Sequence, residues 1–183
     1  MVQAKLIGFA HKAGVGKTTA ANYLVEEFGA IKLSFADPLK DSCKTLFDWS
    51  DVHVRGSLKN VEDPRWGMTP GRAQQIVGTM FRQEFGEDFW VKNLLSRVEK
   101  ADGIIVVDDV RYKSEAMAIK KLGLLVKINR TPNYIGRDPN HPSEIDLDCW
   151  TGWDSVIDNK DISIESFRLK IISEFNRLTL GIR

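Results

Sequence analysis

The sequence predicts an α/β fold, a five-stranded parallel sheet flanked by helices in three layers. Three observations lead there. Short apolar runs alternate with amphipathic stretches, the pattern of strand–helix–strand units. The first run leads into a glycine-punctuated turn, and the most β-branched one ends in two aspartates. The chain has 183 residues, 43% of them apolar, which suits a single domain over residues 1–183 with a sizeable core and excludes intrinsic disorder.

Leu6–Ala10 is an apolar run of strand length, and a helix follows from about Lys17 to Phe28. Ile31–Phe35 is a second short strand. Asp37-Pro38 supplies an N-cap and a first-turn proline for a second helix. Val91, Leu94, Leu95 and Val98 recur at helical spacing. Gly103–Val107 is the clearest strand, running into Asp108 and Asp109. Leu124–Ile128 and Ser155–Ile157 bring the strands to five, and a last helix lies near Ile164–Leu178. Two polar stretches break this rhythm, Trp49–Pro70 and Arg130–Asp148. Loops of that length in a compact domain commonly act as lids or binding loops.

Composition excludes several function classes. Lys plus Arg number 26 against 25 Asp plus Glu, so bulk charge offers no grip on polymeric nucleic acid. No apolar run approaches the ~18–20 residues of a membrane span, and Leu6–Ala10 is too short for the apolar core of a signal peptide. Cys43 and Cys149 have no metal-ligand spacing and suit a reducing compartment. A soluble, cytoplasmic protein is expected. Its oligomeric state, monomer or homodimer, stays open.

The chemistry is carried by His11-Lys12-Ala13-Gly14-Val15-Gly16-Lys17-Thr18-Thr19, set between a strand and a helix. In that context a glycine-rich loop turns successive backbone N–H groups inward as an anion nest, and the helix N-terminus adds positive potential. Ala13 to Gly16 supply the cradle, Lys17 faces the β- and γ-phosphates, Thr18 ligates Mg²⁺ and Thr19 adds a contact to the α-phosphate. The pattern G-x-x-x-x-G-K-[ST] asks for glycine where His11 stands, so the loop is expected to open on ordinary φ/ψ. Asp108 is the candidate Walker B carboxylate for Mg²⁺. Asp109, Arg111 and Glu115 follow it into the ligand crevice of an open sheet.

A phosphate loop specifies a nucleotide and leaves the reaction open. Cations outside it narrow the choice. Lys40, Arg72 and Arg82 lie on the far side of the loop in sequence, and Arg72 suits bidentate grip on an acceptor phosphate. Arg130, Arg137, His141 and Glu144 fall in the second polar stretch, where Arg137, beside Gly136 and Pro139, would close over the donor and exclude water. Phe35, Trp66 and Trp90 offer faces for stacking on a base, whereas Trp49 and Trp153 suit plain packing. Cys43 suits a buried helical site, and His53 has no assigned role.

Several blocks occur in order: the phosphate loop, Ser34-Phe35-Ala36-Asp37-Pro38-Leu39-Lys40, Thr69-Pro70-Gly71-Arg72 with Gly78-Thr79, Gly86-Glu87-Asp88-Phe89-Trp90-Val91, Asp109-Val110-Arg111 with Glu115, His141-Pro142-Ser143-Glu144, and Val156-Ile157-Asp158-Asn159. Together they resemble the bacteriophage deoxynucleoside monophosphate kinases over nearly the whole chain. The resemblance implies a P-loop kinase fold with a substrate-binding region over about 36–100 and a lid over about 130–148. It implies transfer of the ATP γ-phosphate to a deoxynucleoside monophosphate (dNMP) with Mg²⁺, in the host cytoplasm if phage-encoded. Leu39, Lys40, Arg72, Gly78, Thr79, Trp90, Asp109, Arg111 and Glu115 would then line the dNMP pocket, with Phe35 and Asp37 beside them. Gly16 to Thr19 would hold the ATP phosphates, with Arg130 over them and Asn159 near the adenine. Lys17, Arg72, Arg111 and Arg137 would carry catalysis. Two competing readings are a kinase of the dephospho-coenzyme A or shikimate type and a nucleotide-dependent switch without catalysis.

Overall fold

A computed structural model describes residues 6–132 and 138–180. The strands are β1 (Leu6–Ala10), β2 (Ile31–Leu33), β3 (Ile105–Val110), β4 (Leu124–Asn129) and β5 (Ser155–Asp158). All pair in parallel, in the order β2-β3-β1-β4-β5. Central β1 is buried at every residue, as a strand covered on both faces must be. Its side chains alternate between two cores. Leu6 joins Val107, Leu125, Ile119, Leu94 and Trp90 on one face. Ile7 and Phe9 join Val106, Val126, Ile128, Leu24 and Ile171 on the other.

The second face is covered by α1 (Lys17–Phe28) and α8 (Ile164–Leu180). Tyr23 meets Phe167 edge-on at 6.0 Å and Phe28 meets Phe175 at 4.4 Å, so aromatic contacts join the two helices. The first face carries α2 (Asp37–Leu46), α4 (Pro70–Phe85), α5 (Phe89–Val98) and α6 (Lys113–Leu122). Thr69 caps α4 by accepting the Arg72 N–H at 3.1 Å, with Pro70 in the first turn where no N–H is needed. Two single turns, α3 (Asp51–Val54) and α7 (Pro142–Ile145), lie in the polar stretches.

The departures from the sequence expectation that shape the site lie at β2, at β3 and in the first polar stretch. β2 stops at Leu33 and not at Phe35, because the Asp109 carboxylate captures the N–H groups of Phe35 and Ala36 at 2.8 and 3.0 Å. β3 extends through both aspartates to Val110. The stretch Trp49–Pro70 is no open loop, since it contains α3 and a 3-10 turn at Ser57–Asn60. Trp49 is buried there, and its indole N–H donates to Asp63 at 2.7 Å. A buried aspartate and indole that satisfy each other make this stretch part of the core wall. No described helix is long and apolar enough to cross a membrane.

Candidate active site

The loop between β1 and α1 wraps around its own lysine. Lys17 is buried, and its ammonium donates to the carbonyls of His11 at 2.7 Å and Lys12 at 2.5 Å. Gly16 is required twice over. Its φ is +105°, and a Cβ there would lie 2.7 Å from Asn159 Nδ2. Asn159 stands behind the loop and donates to the Val15 carbonyl at 2.9 Å, so it braces the cradle and is not among the cavity-lining residues.

His11 corrects the sequence expectation. Its φ is +107°, the glycine side of the map, in a non-glycine residue. Such a conformation costs about 1–3 kcal/mol and persists only where its surroundings hold it. Here the His11 N–H donates to Val110 at 3.3 Å while its carbonyl receives Lys17. Burial, with Lys127, Lys12 and Lys17 nearby, lowers the His11 imidazole to about 4. The ring is therefore neutral at physiological pH.

The C-terminal end of β3 brings Asp108 and Asp109 beside the loop. Asp108 is buried and accepts the Ser34 hydroxyl. Asp109 spends both oxygens on the Phe35 and Ala36 N–H groups. Burial raises its pKa, offset in part by Lys40. In α6, Glu115 accepts the N–H groups of Arg111 at 2.8 Å and Tyr112 at 3.1 Å, and the Arg82 guanidinium at 2.5 Å. Burial raises its carboxyl to about 7 against the pull of Arg82. Arg82 also lies 3.7 Å over the Tyr112 ring.

The second polar stretch docks onto this site. Glu144 is buried, accepts the Ala13 N–H at 2.8 Å and pairs with Arg111. Asp148 pairs with Lys12 at 2.8 Å, and Asp138 with Arg72 at 3.7 Å. His141 Nδ1 accepts the Ser143 N–H at 3.2 Å, so the neutral ring carries its proton on Nε2, which donates to Thr79 at 3.1 Å. Burial, followed by Arg72, lowers the His141 pKa and favours that neutral form.

These elements enclose a cavity of about 440 Å³. Of the residues singled out in the sequence, Gly14, Gly16, Lys17, Thr18, Thr19, Phe35, Leu39, Lys40, Gly78, Thr79, Arg82, Trp90, Asp108, Asp109, Arg111, Glu115, Arg130 and His141 line it. The others lie elsewhere. Ala13 and Val15 are buried behind the loop. Asp37 faces Lys40, Arg55 and Arg97 at 3.5–3.8 Å. Arg72 is exposed, lies 3.7 Å from Asp138 and is outside the lining. Trp66 is exposed and hydrogen-bonds the Phe47 carbonyl. Arg137 and Gly136 lie outside the described residues.

Sequence reasoning missed Gln74, Gln75, Tyr112 and Lys59, all in the lining. One signal was available. Gly71, Gln75, Gly78 and Arg82 follow one another at i, i+4, i+7 and i+11, a single stripe along α4 that faces the cavity.

The donor set suits a hard cation. Thr18 and Asp108 offer one hydroxyl and one carboxylate to the cavity, and no group of three or more His, Cys, Asp or Glu is gathered among the described residues. Mg²⁺ takes few protein oxygens and fills its octahedron with water and phosphate, so this sparse oxygen set fits it.

A parallel sheet with a lysine-bearing glycine loop after β1, carboxylates at the end of β3 and a deep cavity between them defines a P-loop kinase. The chain superimposes on dephospho-CoA kinase from Campylobacter jejuni with a TM-score of 0.56 at 16% identity, covering 97% of this chain and 98% of that one. It superimposes on shikimate kinase from Aquifex aeolicus with a TM-score of 0.52 at 12% identity, covering 97% and 99%. No family model matches the chain. It is 38% identical, over 92% of its length and 94% of the relative's, to a protein of Acanthamoeba polyphaga mimivirus named "Putative deoxynucleotide monophosphate kinase". The chain belongs to the deoxynucleotide monophosphate kinase family. It is also 27% identical to "Uncharacterized protein ORF76" of Ictalurid herpesvirus 1, over 78% of this chain and 56% of that protein.

Proposed function

We propose that this chain transfers the γ-phosphoryl group of ATP to the phosphate of a dNMP, giving dNDP and ADP. The observation that carries this is a single cavity with two unlike walls. The phosphate loop, with Lys17, Thr18 and Thr19, forms one, and the α2–α4 wall with Lys40, Gly78, Thr79 and Trp90 forms the other. A hydrolytic switch has no use for the second wall, because water needs no binding pocket.

The acceptor is already an anion, so no general base is required. A phosphate oxygen of the dNMP forms a bond to the γ-phosphorus while the bond from that phosphorus to the β-bridging oxygen breaks, and the leaving ADP takes the electron pair. Such a step asks the protein for alignment and charge neutralisation. Lys17 and the N–H groups of the loop hold the donor, and Arg130 covers it. Arg72, exposed beside the cavity lining, exchanges Asp138 for the acceptor phosphate. Arg111 lines the cavity and is held by Glu144, which also occupies the Ala13 N–H and so acts as a positioning residue. Thr18 and Asp108 would hold Mg²⁺, which would supply charge neutralisation on the phosphates. Residues 36–100 hold the acceptor, and residues 130–148, with Arg137, form the lid that excludes water. The free cysteines Cys43 and Cys149 suit a reducing cytoplasm.

The test is acceptor choice. Protein and ATP are incubated with each dNMP, with dephospho-coenzyme A and with shikimate, and ADP release is measured. Release with dNMPs is expected. Release confined to a non-nucleotide acceptor contradicts the proposal.

A further inference from the structure

Gln74 and Gln75 are neighbours on α4 and equally buried, at 7% and 8% exposure, yet their side chains fare differently. Gln74 donates to the Val54 carbonyl at 2.9 Å. Gln75 lines the cavity, and neither its Nε2 nor its Oε1 has a hydrogen-bond partner among the described residues. A buried amide left wholly unsatisfied is costly, and native proteins keep one where a ligand completes it.

The polar groups around it are already engaged. Thr79 bonds His141, the Trp90 indole donates to the Gly78 carbonyl at 3.1 Å, and Arg82 is paired with Glu115. Gly71 and Gly78 flank Gln75 on the same stripe of α4 and line the cavity with it, and a Cβ on Gly78 would press on the Leu39 side chain at 3.2 Å. Phe35 and Trp90 add aromatic walls to this half of the cavity. An amide offers one donor and one acceptor side by side in a plane and carries no charge. It is a poor phosphate ligand beside so many cations, and a good match for a flat heterocycle that presents an acceptor next to a donor.

We infer that Gln75 reads the base of the acceptor nucleotide, pairing its amide with an adjacent donor and acceptor on the base edge. The inference rests on the dNMP kinase reading and makes Gln75 the side chain that holds the base edge. It places the base deep against α4 and the acceptor phosphate toward the phosphate loop.

The test compares wild type with Gln75→Leu and Gln75→Glu, measuring kcat/KM for each of the four common dNMPs, KM for ATP, and inhibition by deoxyribose 5-phosphate, an acceptor mimic without a base. In Gln75→Leu, kcat/KM for the dNMPs should fall about 10- to 100-fold, because each base edge loses its paired donor and acceptor. KM for ATP and inhibition by the base-less sugar phosphate should stay as in wild type. Gln75→Glu keeps the shape but presents acceptors only, so preference should move toward guanine, whose edge offers two adjacent donors, and away from thymine. Should Gln75→Leu fail to fold, the Gln75→Glu ratios decide alone. Ratios among the four bases that stay as in wild type in Gln75→Glu overturn the inference while leaving the kinase reading intact, as does a loss in Gln75→Leu that extends to the base-less inhibitor. A wild type that phosphorylates no dNMP overturns the kinase reading and the inference with it.

Discussion

The two walls of the cavity are built from different materials. The donor wall is backbone: a loop whose carbonyls fold onto Lys17 and whose glycines and His11 take left-handed φ. The acceptor wall is side chains: the α4 stripe with Gln75 and Arg82, facing Phe35, Leu39, Lys40 and Trp90. A phosphate can be held by N–H groups that any sequence possesses, provided the chain bends far enough. A base and its sugar need particular side chains at particular positions. The donor wall is therefore shared across many enzymes with this fold, and the acceptor wall is where one such enzyme differs from another.

Four substitutions break or sharpen that contrast. Lys17→Met removes the charge that the donor wall is wrapped around, and kcat should fall roughly 10³-fold with dNMP binding retained. Steady-state kinetics with dNMP titration calorimetry checks both halves. Arg72→Ala should cost the acceptor side about 2–4 kcal/mol of transition-state stabilisation, read as kcat/KM for dNMP, with ATP affinity nearly unchanged. Collapse of ATP affinity instead would move Arg72 to the other wall.

The smaller effects are in stability. His11→Gly relieves the +107° backbone and should raise stability by about 1 kcal/mol in urea unfolding, with activity kept. It should also remove an acid sensitivity. The wild-type imidazole stands near 4 in the fold against an ordinary 6.5, so the unfolded chain binds its proton first and stability is lost as pH falls from 6.5 toward 4. Glu115 on the acceptor wall has the opposite sign. Its carboxyl stands near 7 in the fold against an ordinary 4.5, so the folded protein binds the extra proton and gains stability as pH falls through that window. Melting temperatures of wild type and Glu115→Gln, compared at several pH values, should diverge in favour of wild type on acidification. A constant difference would remove Glu115 as the titrating group.

Much of this was legible in the residues, for reasons that track the same contrast. The donor loop announces itself because glycines, lysine and threonine must be contiguous there. The strands do so because burial on both faces leaves no room for polar residues, as in Ile7 and Val106. His11 was misjudged because a left-handed residue is ordinarily glycine, and the contacts that hold it, Val110 and Lys17, are made only in the fold. The stretch Trp49–Pro70 looked like an open loop because its polar residues are visible in sequence, whereas the pairing of Trp49 with Asp63 that builds it into the core wall is not. Glu144 stood out only as one polar residue of the second stretch, yet it accepts the Ala13 N–H from 131 positions away and pairs with Arg111. Gln75 shares a helical stripe with Gly71, Gly78 and Arg82, yet only the packing shows that the Gln74 amide is used and the Gln75 amide is not.

The central claim is that both walls serve one reaction in one cavity. A bisubstrate analogue, adenosine joined to a deoxynucleoside through five phosphates, tests it most directly. Binding should be one to one, tighter than either nucleotide alone, and competitive against both ATP and dNMP. An analogue that competes with ATP and leaves dNMP kinetics untouched would show that the α4 wall does not hold the acceptor.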